Sequence, residues 1–317
     1  MKKVLVTGCA GFIGSHTCEK LVSMGYQVVG IDNFDDFYPR SMKEGNIAGL
    51  LTSGSFDFLE GDICNPEDLN KLARDVDLVI HLAAKAGVRP STSDPDAFIE
   101  NNINGTRQLL KWMHKNNIRK LVFGSSSSVY GNNKKVPFSE TDNVDFPISP
   151  YAFTKKSCEL LNYTYHYLCD MDIVNLRFFT VYGPRQRPDL AIRKFIRLIK
   201  SDEPLPVFGD GSTSRDYTYI EDIVDGIIKA MNYVNAGTDV YEIFNIGNST
   251  PIKLSELLTL LYEIFNKEPN LNYLPMQDGD VNKTYADISK AKAILGYEPS
   301  TTFKEGLQKF SAWLEEN

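Results

Sequence analysis

Three side chains carry chemistry that this sequence can be read for: Ser126, Tyr151 and Lys155. Tyr151 and Lys155 stand at i and i+4 in a helical pattern over 151–170, so they share one face. A free tyrosine titrates near about 10 and is a poor base at neutral pH. A lysine ammonium close by favours the phenolate, and a shift of about three units needs roughly 4 kcal/mol of differential stabilisation. Ser126 follows residues 120–125, which read as a strand, and so falls at a strand's C-terminal end, where open α/β sheets bind ligands. Its hydroxyl can bond the same substrate oxygen that Tyr151 deprotonates. A Tyr-x-x-x-Lys pair alone is a common surface feature. Its place 25 residues after the serine, and behind the turn described next, is what gives it meaning.

The element that must position these groups is Val4-Leu5-Val6-Thr7-Gly8-Cys9-Ala10-Gly11-Phe12-Ile13-Gly14. A short β-branched run feeds a turn with glycines at 8, 11 and 14, then a helical pattern over 15–25, then a second apolar run, 27–31, ending in Asp32. Gly8 permits the tight turn, Gly11 lets the backbone approach a pyrophosphate, and Gly14 lets helix and strand pack closely. The helix N-terminus offers unpaired N–H groups and a partial positive charge to phosphates. Asp32 comes 18 residues after Gly14, where an acid can accept both hydroxyls of an adenosine ribose and repel a 2′-phosphate. NAD is therefore favoured over NADP, with Lys155 able to hold the nicotinamide ribose and the positive ring adding to the field on Tyr151.

Further along, Asn33-Phe34-Asp35-Asp36-Phe37-Tyr38-Pro39-Arg40 is a polar, aromatic loop that either covers the adenosine or lies on the surface. Residues 56–59 read as a strand ending at Gly61-Asp62-Ile63, where Asp62 can bond the adenine amino group. Asn65 caps a helix over 66–74. Leu78-Val79-Ile80-His81-Leu82-Ala83-Ala84 is apolar enough for a strand buried on both faces. Its end, Leu82, Ala83, Ala84 and Lys85, should lie beside the pyrophosphate and the nicotinamide ribose, and His81 reads as a satisfied buried histidine rather than a catalyst. A long helix over 98–114 carries Asn101 and Asn104, and a strand follows over 173–179. Strands alternate with helices to about residue 180, which predicts an α/β fold with a doubly wound parallel sheet. The expected division is an NAD-binding Rossmann domain, 1–180, and a smaller α/β substrate-binding lobe, 181–317, with 218–247 returning to the sheet.

The Gly-x-x-Gly-x-x-Gly spacing, within Thr-Gly-x-x-Gly-Phe-Ile-Gly, resembles the extended short-chain dehydrogenase/reductases. With Ser126, Tyr151 and Lys155 the resemblance is to their nucleotide-sugar epimerases, over essentially the whole chain. Three segments look most like the UDP-glucuronate 4-epimerases: Ser125-Ser126-Ser127-Ser128-Val129-Tyr130-Gly131, Tyr151-Ala152-Phe153-Thr154-Lys155-Lys156, and residues 177–189, Arg-Phe-Phe-Thr-Val-Tyr-Gly-Pro-Arg-Gln-Arg-Pro-Asp. UDP-glucose 4-epimerases carry Asn-Pro where Thr180-Val181 stands, and UDP-glucuronate decarboxylases usually carry an acid where Ser127 follows Ser126. The resemblance implies C4 inversion of a UDP-uronate. Ser127, Ser128 and Thr180 would be uncharged donors around the sugar carboxylate, while the serine run read alone is also a turn whose hydroxyls meet water. It also implies that Arg215 and Arg187 hold the diphosphate, that Asp280 lies near the uridine ribose, and that a homodimer forms through the helix of Tyr151 and the one over 98–114. Arg89 is either a further phosphate contact or a solvated arginine, and Gln277 replaces an arginine found in some relatives.

The bulk composition sets the bounds. A chain of 317 residues has room for a cofactor domain and a second lobe. Hydrophobic content of 42% and charged content of 24% are those of an ordinary globular protein, and a net charge of −7 argues against broad nucleic-acid binding. No leader-like segment and no apolar run near 18 residues is visible, so a cytoplasmic, membrane-free protein is expected. Cysteines 9, 18, 64, 158 and 169 and histidines 16, 81, 114 and 166 show no ligand spacing. Free thiols and no metal are the expectation.

Overall fold

A computed structural model of the chain describes residues 2–275 and 283–316. Twelve strands are present among them: β1 Lys3–Thr7, β2 Gln27–Asp32, β3 Phe56–Glu60, β4 Leu78–His81, β5 Lys120–Ser126, β6 Asp172–Phe178, β7 Thr180–Tyr182, β8 Leu205–Phe208, β9 Ser214–Tyr219, β10 Tyr241–Ile246, β11 Pro251–Lys253 and β12 Leu271–Leu274. Seven of them form one parallel sheet in the order β3-β2-β1-β4-β5-β6-β10. The order reverses direction between β1 and β4, which opens a crevice at their carboxyl ends. Alternate residues of each strand enter separate cores: Val4, Val6, Val28, Ile80 and Val122 on one face, Leu5, Val29, Val79, Leu121 and Phe123 on the other. Burial on both faces is why these strands read as apolar runs.

The helices that matter for the site are α1 Phe12–Ser23, α2 Arg40–Leu51, α3 Pro66–Lys71, α4 Val88–Ser93, α5 Pro95–Phe98, α6 Gly105–Lys115, α7 Pro150–Cys169, α8 Ala191–Lys200 and α9 Ile220–Ala236. Ser149 starts α7 by accepting the Ala152 N–H at 3.1 Å, with Pro150 at the first helical position. Asn65 likewise caps α3, through the Glu67 N–H at 3.0 Å. The chain then leaves the main sheet for two small ones, β11-β9-β7 and β12-β8, and comes back: α9 packs on α1, β5 and β6, and β10 pairs with β6.

Two elements differ from expectation. The helix expected over 98–114 is three pieces, α5, a π-helical segment Ile99–Asn104 and α6. The wider turn changes which asparagines face inward. Helix α2 was not expected at all. Its buried face is Lys43, Asn46, Ile47 and Leu50, and Gly45 and Gly49 interrupt it, so no apolar stripe announces it.

Candidate active site

The turn after β1 is built by glycines with separable duties. Gly8 has φ of +69°, and a Cβ there would stand 2.7 Å from the Ala83 nitrogen. A Cβ on Gly14 would run into the Gly8 carbonyl oxygen and stand 2.8 Å from its carbon, so this glycine lets α1 close on the turn itself rather than on the strand. A Cβ on Gly11 would meet only the Gly8 oxygen, at 3.2 Å; its remaining surroundings are open cavity. That open space at the N-terminus of α1 is a cradle for a pyrophosphate.

The cavity has a volume of about 600 Å³ and runs along the crevice at the switch point. Every residue expected at a dinucleotide lines it: Gly8, Gly11, Phe12, Ile13 and Gly14 from the turn, Asp32 and Asn33 after β2, Asp62 and Ile63 after β3, Leu82, Ala83, Ala84 and Lys85 after β4, then Asn101, Tyr151 and Lys155. Ser126, Thr180 and Arg187 lie on the same walls. Ser127 and Ser128 do not. They open a 3₁₀ turn, Ser127–Tyr130, in which Ser126 Oγ accepts the Ser128 N–H at 3.2 Å and donates to Ser128 Oγ at 3.1 Å. Arg89 and Arg215 also lie off the cavity wall, Arg89 over the Phe208 ring at 5.9 Å and Arg215 donating to the Ser214 carbonyl at 3.0 Å. Asp280 and Gln277 fall outside the described residues.

Asp32 accepts the Ala10 N–H at 3.0 Å and the Phe34 N–H at 2.9 Å. Burial raises its pKa, with those two N–H bonds and Lys43 pulling down. The loop after β2 folds over the cavity rather than away from it. Asp35, Phe37 and Tyr38 line it, Phe37 lies under Arg187 at 4.9 Å, and Lys43 donates to the Asp35 carbonyl. Asp35 also pairs with Lys85 at 2.7 Å. Arg187 is held on its other side by Asp189, at 3.0 and 2.8 Å.

Burial raises the Tyr151 pKa, while the Ser126 hydroxyl and the Arg187 guanidinium lower it. Its ring packs edge-on against Phe98 at 6.2 Å. Lys155 does not do here what the spacing alone suggested: its Nζ donates to the Gly124 carbonyl at 2.7 Å and stands 4.9 Å from the Phe123 ring. Burial pulls its pKa down to about 8, against Cys158 and Glu159, which raise it. His81 is buried between Thr7 Oγ1 at 2.7 Å and Thr106 Oγ1 at 2.9 Å, with its pKa lowered to about 3 by burial first and Lys155 second. A neutral, doubly bonded imidazole leaves it no part in proton transfer.

Sequence reasoning missed Asn102. It is buried, accepts the Lys85 N–H at 2.8 Å, and donates to the Lys85 carbonyl at 3.0 Å and to Thr154 Oγ1 at 2.9 Å. It therefore ties the end of β4 to α7. Asn104, singled out with Asn101, instead donates to Glu100 at 2.5 Å off the cavity. Only the π-helical segment explains why 101 and 102 both reach the Lys85 amide, and no local sequence signal marks it. Among the described residues no group of His, Cys, Asp and Glu comes together to hold a metal.

The Rossmann sheet, the open glycine turn and a tyrosine–lysine helix on one cavity define a dinucleotide-dependent enzyme. The chain belongs to the NAD dependent epimerase/dehydratase family, which matches residues 4–247. It is 42% identical over 316 residues to a UDP-glucuronate 4-epimerase of Thermodesulfobacterium geofontis, covering 99% of this chain and 96% of that one. It is 41% identical over 326 residues to UDP-glucuronate 4-epimerase 3 of Arabidopsis thaliana, covering 98% of this chain and 76% of that protein. Among solved structures it resembles UDP-glucuronic acid 4-epimerase from Bacillus cereus, in complex with UDP-glucuronic acid and NAD, with a TM-score of 0.93, 41% identity and 99% of both chains covered.

Proposed function

We propose that this protein reversibly inverts C4 of UDP-glucuronate, giving UDP-galacturonate, with NAD as a resident cofactor. The observation that carries the reading is the convergence of Ser126, Tyr151, Lys155 and Thr180 on the cavity that the glycine turn opens. Full-length identity near 40% to UDP-glucuronate 4-epimerases supports the sugar.

The chemistry NAD would supply, when bound, is reversible acceptance of the C4 hydride. The residues that would hold it are those of the Gly8–Gly14 turn, Asp32, Asp62 and the Leu82–Lys85 segment. Asp32 would take the adenosine ribose, and Lys155 the nicotinamide ribose. Tyr151 accepts the C4 hydroxyl proton and later gives it back, with Ser126 bonded to the same oxygen. The Ser126 hydroxyl and the Arg187 guanidinium bring the buried phenol toward its anion. The 4-keto sugar is a β-keto acid, which loses CO2 if its carboxyl bond aligns with the carbonyl π system. Thr180, on the cavity wall, would hold the carboxylate out of that alignment, with Ser127 and Ser128 behind Ser126 as further hydroxyls. Arg187, Arg215 and Arg89 would serve the diphosphate, and Asp280 the uridine.

Residues 1–180 with 218–247 would form the cofactor part and the remainder the sugar-nucleotide part. Phe153, Leu160 and Tyr167 recur every seven residues on α7 and are 45%, 56% and 74% exposed, which favours a homodimer through this helix. No helix among the described residues is long and apolar enough to cross a membrane, and five free cysteines favour the cytoplasm. The test is a product assay on UDP-glucuronate beside UDP-glucose. Interconversion of the glucuronate alone supports the reading; turnover of UDP-glucose alone, UDP-pentose as the main product, or no turnover despite bound NAD, overturns it.

A further inference from the structure

The layer between α7 and strands β5 and β6 is polar where apolar packing is the rule. Glu159 and Arg177 face each other there, each side chain 1% exposed. Arg177 donates from Nε to Glu159 Oε1 at 2.9 Å and from Nη2 to Oε2 at 2.8 Å. Ser125 Oγ adds a third bond, to Oε1, at 2.6 Å. The remaining guanidinium nitrogen, Nη1, donates to the Tyr130 hydroxyl at 3.0 Å, and Tyr130 donates to Asn245 at 2.7 Å. Such a buried pair adds little net stability over two apolar side chains of the same volume, so its presence calls for another reason.

The reason lies one helical turn away. Lys155 and Glu159 stand at i and i+4 on the buried face of α7, the spacing at which an ammonium and a carboxylate meet. Out of water their attraction is strong. Yet Lys155 Nζ is on the Gly124 carbonyl, while the Glu159 carboxylate is engaged by the fork of Arg177 and by Ser125. We propose that Arg177 is a positioning residue for Lys155: by occupying the Glu159 carboxylate it keeps that anion from capturing the ammonium, which stays on Gly124 at the cavity wall. Glu159 then acts on the lysine only as a nearby charge, raising its pKa against burial, beside Cys158 on the same helix and neutral His81 from β4. The activity arm of the test rests on the epimerase reading; the structural arm does not.

The experiment compares the wild type with Arg177→Met, Arg177→Lys and the double variant Arg177→Met/Glu159→Gln. Each is followed by crystal structure, by NAD titration calorimetry, and by kcat and KM on UDP-glucuronate. In R177M the lysine is expected to move onto Glu159, and kcat to fall about a hundredfold, the cost of misplacing a reacting group by about 1 Å, with KM changed less than threefold. In R177K, which keeps a cation on Glu159, and in the double variant, which removes the anion, Lys155 should return to Gly124 and kcat should recover to within about tenfold. If R177M does not fold, the other two variants carry the test. A lysine that stays on Gly124 in R177M, or a kcat still down a hundredfold in a folded R177K or double variant, overturns the proposal. An inactive wild type would instead overturn the epimerase reading and leave the lysine's position to decide this one.

Discussion

Gly11 and Gly14 belong to one motif, yet the structure assigns them different failures. An alanine at 14 must place its Cβ against the Gly8 carbonyl, 2.8 Å from the carbon and 3.0 Å from Cys9 Cα. Optimal carbon contacts lie at about 3.5–4.0 Å. All the obstructing atoms are backbone of the turn, so α1 has to move away from the turn. Overpacking of that kind costs about 3 kcal/mol, and a chain this size should lose about 4–5 °C in melting temperature. An alanine at 11 meets one atom at 3.2 Å, and its φ of −72° suits any residue, so its melting temperature without cofactor should change by no more than about 2 °C. The new methyl points into the cavity where a pyrophosphate would approach the start of α1. Losing one charge-assisted hydrogen bond there costs about 2 kcal/mol, or roughly thirtyfold in NAD affinity. The assays are differential scanning calorimetry of the cofactor-free variants and isothermal titration with NAD. A Gly11→Ala protein that binds NAD like the wild type, or one that unfolds as early as Gly14→Ala, would refute the assignment of this cavity to a dinucleotide.

Tyr151→Phe should keep its bound NAD but lose about 10²–10⁴-fold in kcat; turnover within tenfold of wild type would remove the phenol from the mechanism. Thr180→Ala should raise the fraction of UDP-pentose among the products, read by chromatography, and an unchanged product ratio with unchanged affinity would release Thr180 from the carboxylate. Burial lowers Lys155 to about 8, so its charged form prevails below that pH and is lost above it. The kcat profile should therefore fall on the alkaline side near pH 8, and a plateau reaching pH 9.5 would exclude the ammonium from the rate. Leu160→Asp places a charge on the exposed seam of α7 and should convert dimer to monomer in light scattering; a wild type that is already monomeric would dismiss that face as an interface.

The parallel sheet was legible because its strands are buried on both faces, and double burial writes itself into sequence as unbroken apolar runs such as 78–84. The glycine turn was legible because steric exclusion at Gly8 and Gly14 permits no other residue type. What escaped is what depends on polar side chains meeting across elements. Helix α2 buries a lysine and an asparagine, and hydrophobic periodicity cannot report such a helix. Asn102 acts through a π-helical segment, whose extra residue per turn shifts the inward face by an amount no i+3/i+4 pattern encodes. The loop after β2 was read with two equal outcomes. It lies over the cavity, held by Lys43 and Lys85 on Asp35 and by Arg187, some 150 residues later, on Phe37.

The same distinction governs the tyrosine. Spacing on one helix suggested that Lys155 sets the charge on Tyr151, but the first effect on the phenol is burial, which raises its pKa, and the groups that lower it come from β5 and from the segment after β7. Lys155 sits on a backbone carbonyl, close to losing its own proton near pH 8. A buried phenol held above its ordinary pKa is a poor standing base, and proton transfer in both directions is favoured only when that pKa is brought toward the working pH. An epimerase needs that symmetry, because the proton removed in the first half of its cycle must be given back in the second. On the proposed reaction, the positive charges around Tyr151 therefore have to tip the balance without fixing it. Arg187, bonded to Asp189 at 3.0 and 2.8 Å and leaning on Phe37, is placed to do so, with the Asp189 carboxylate opposing its field.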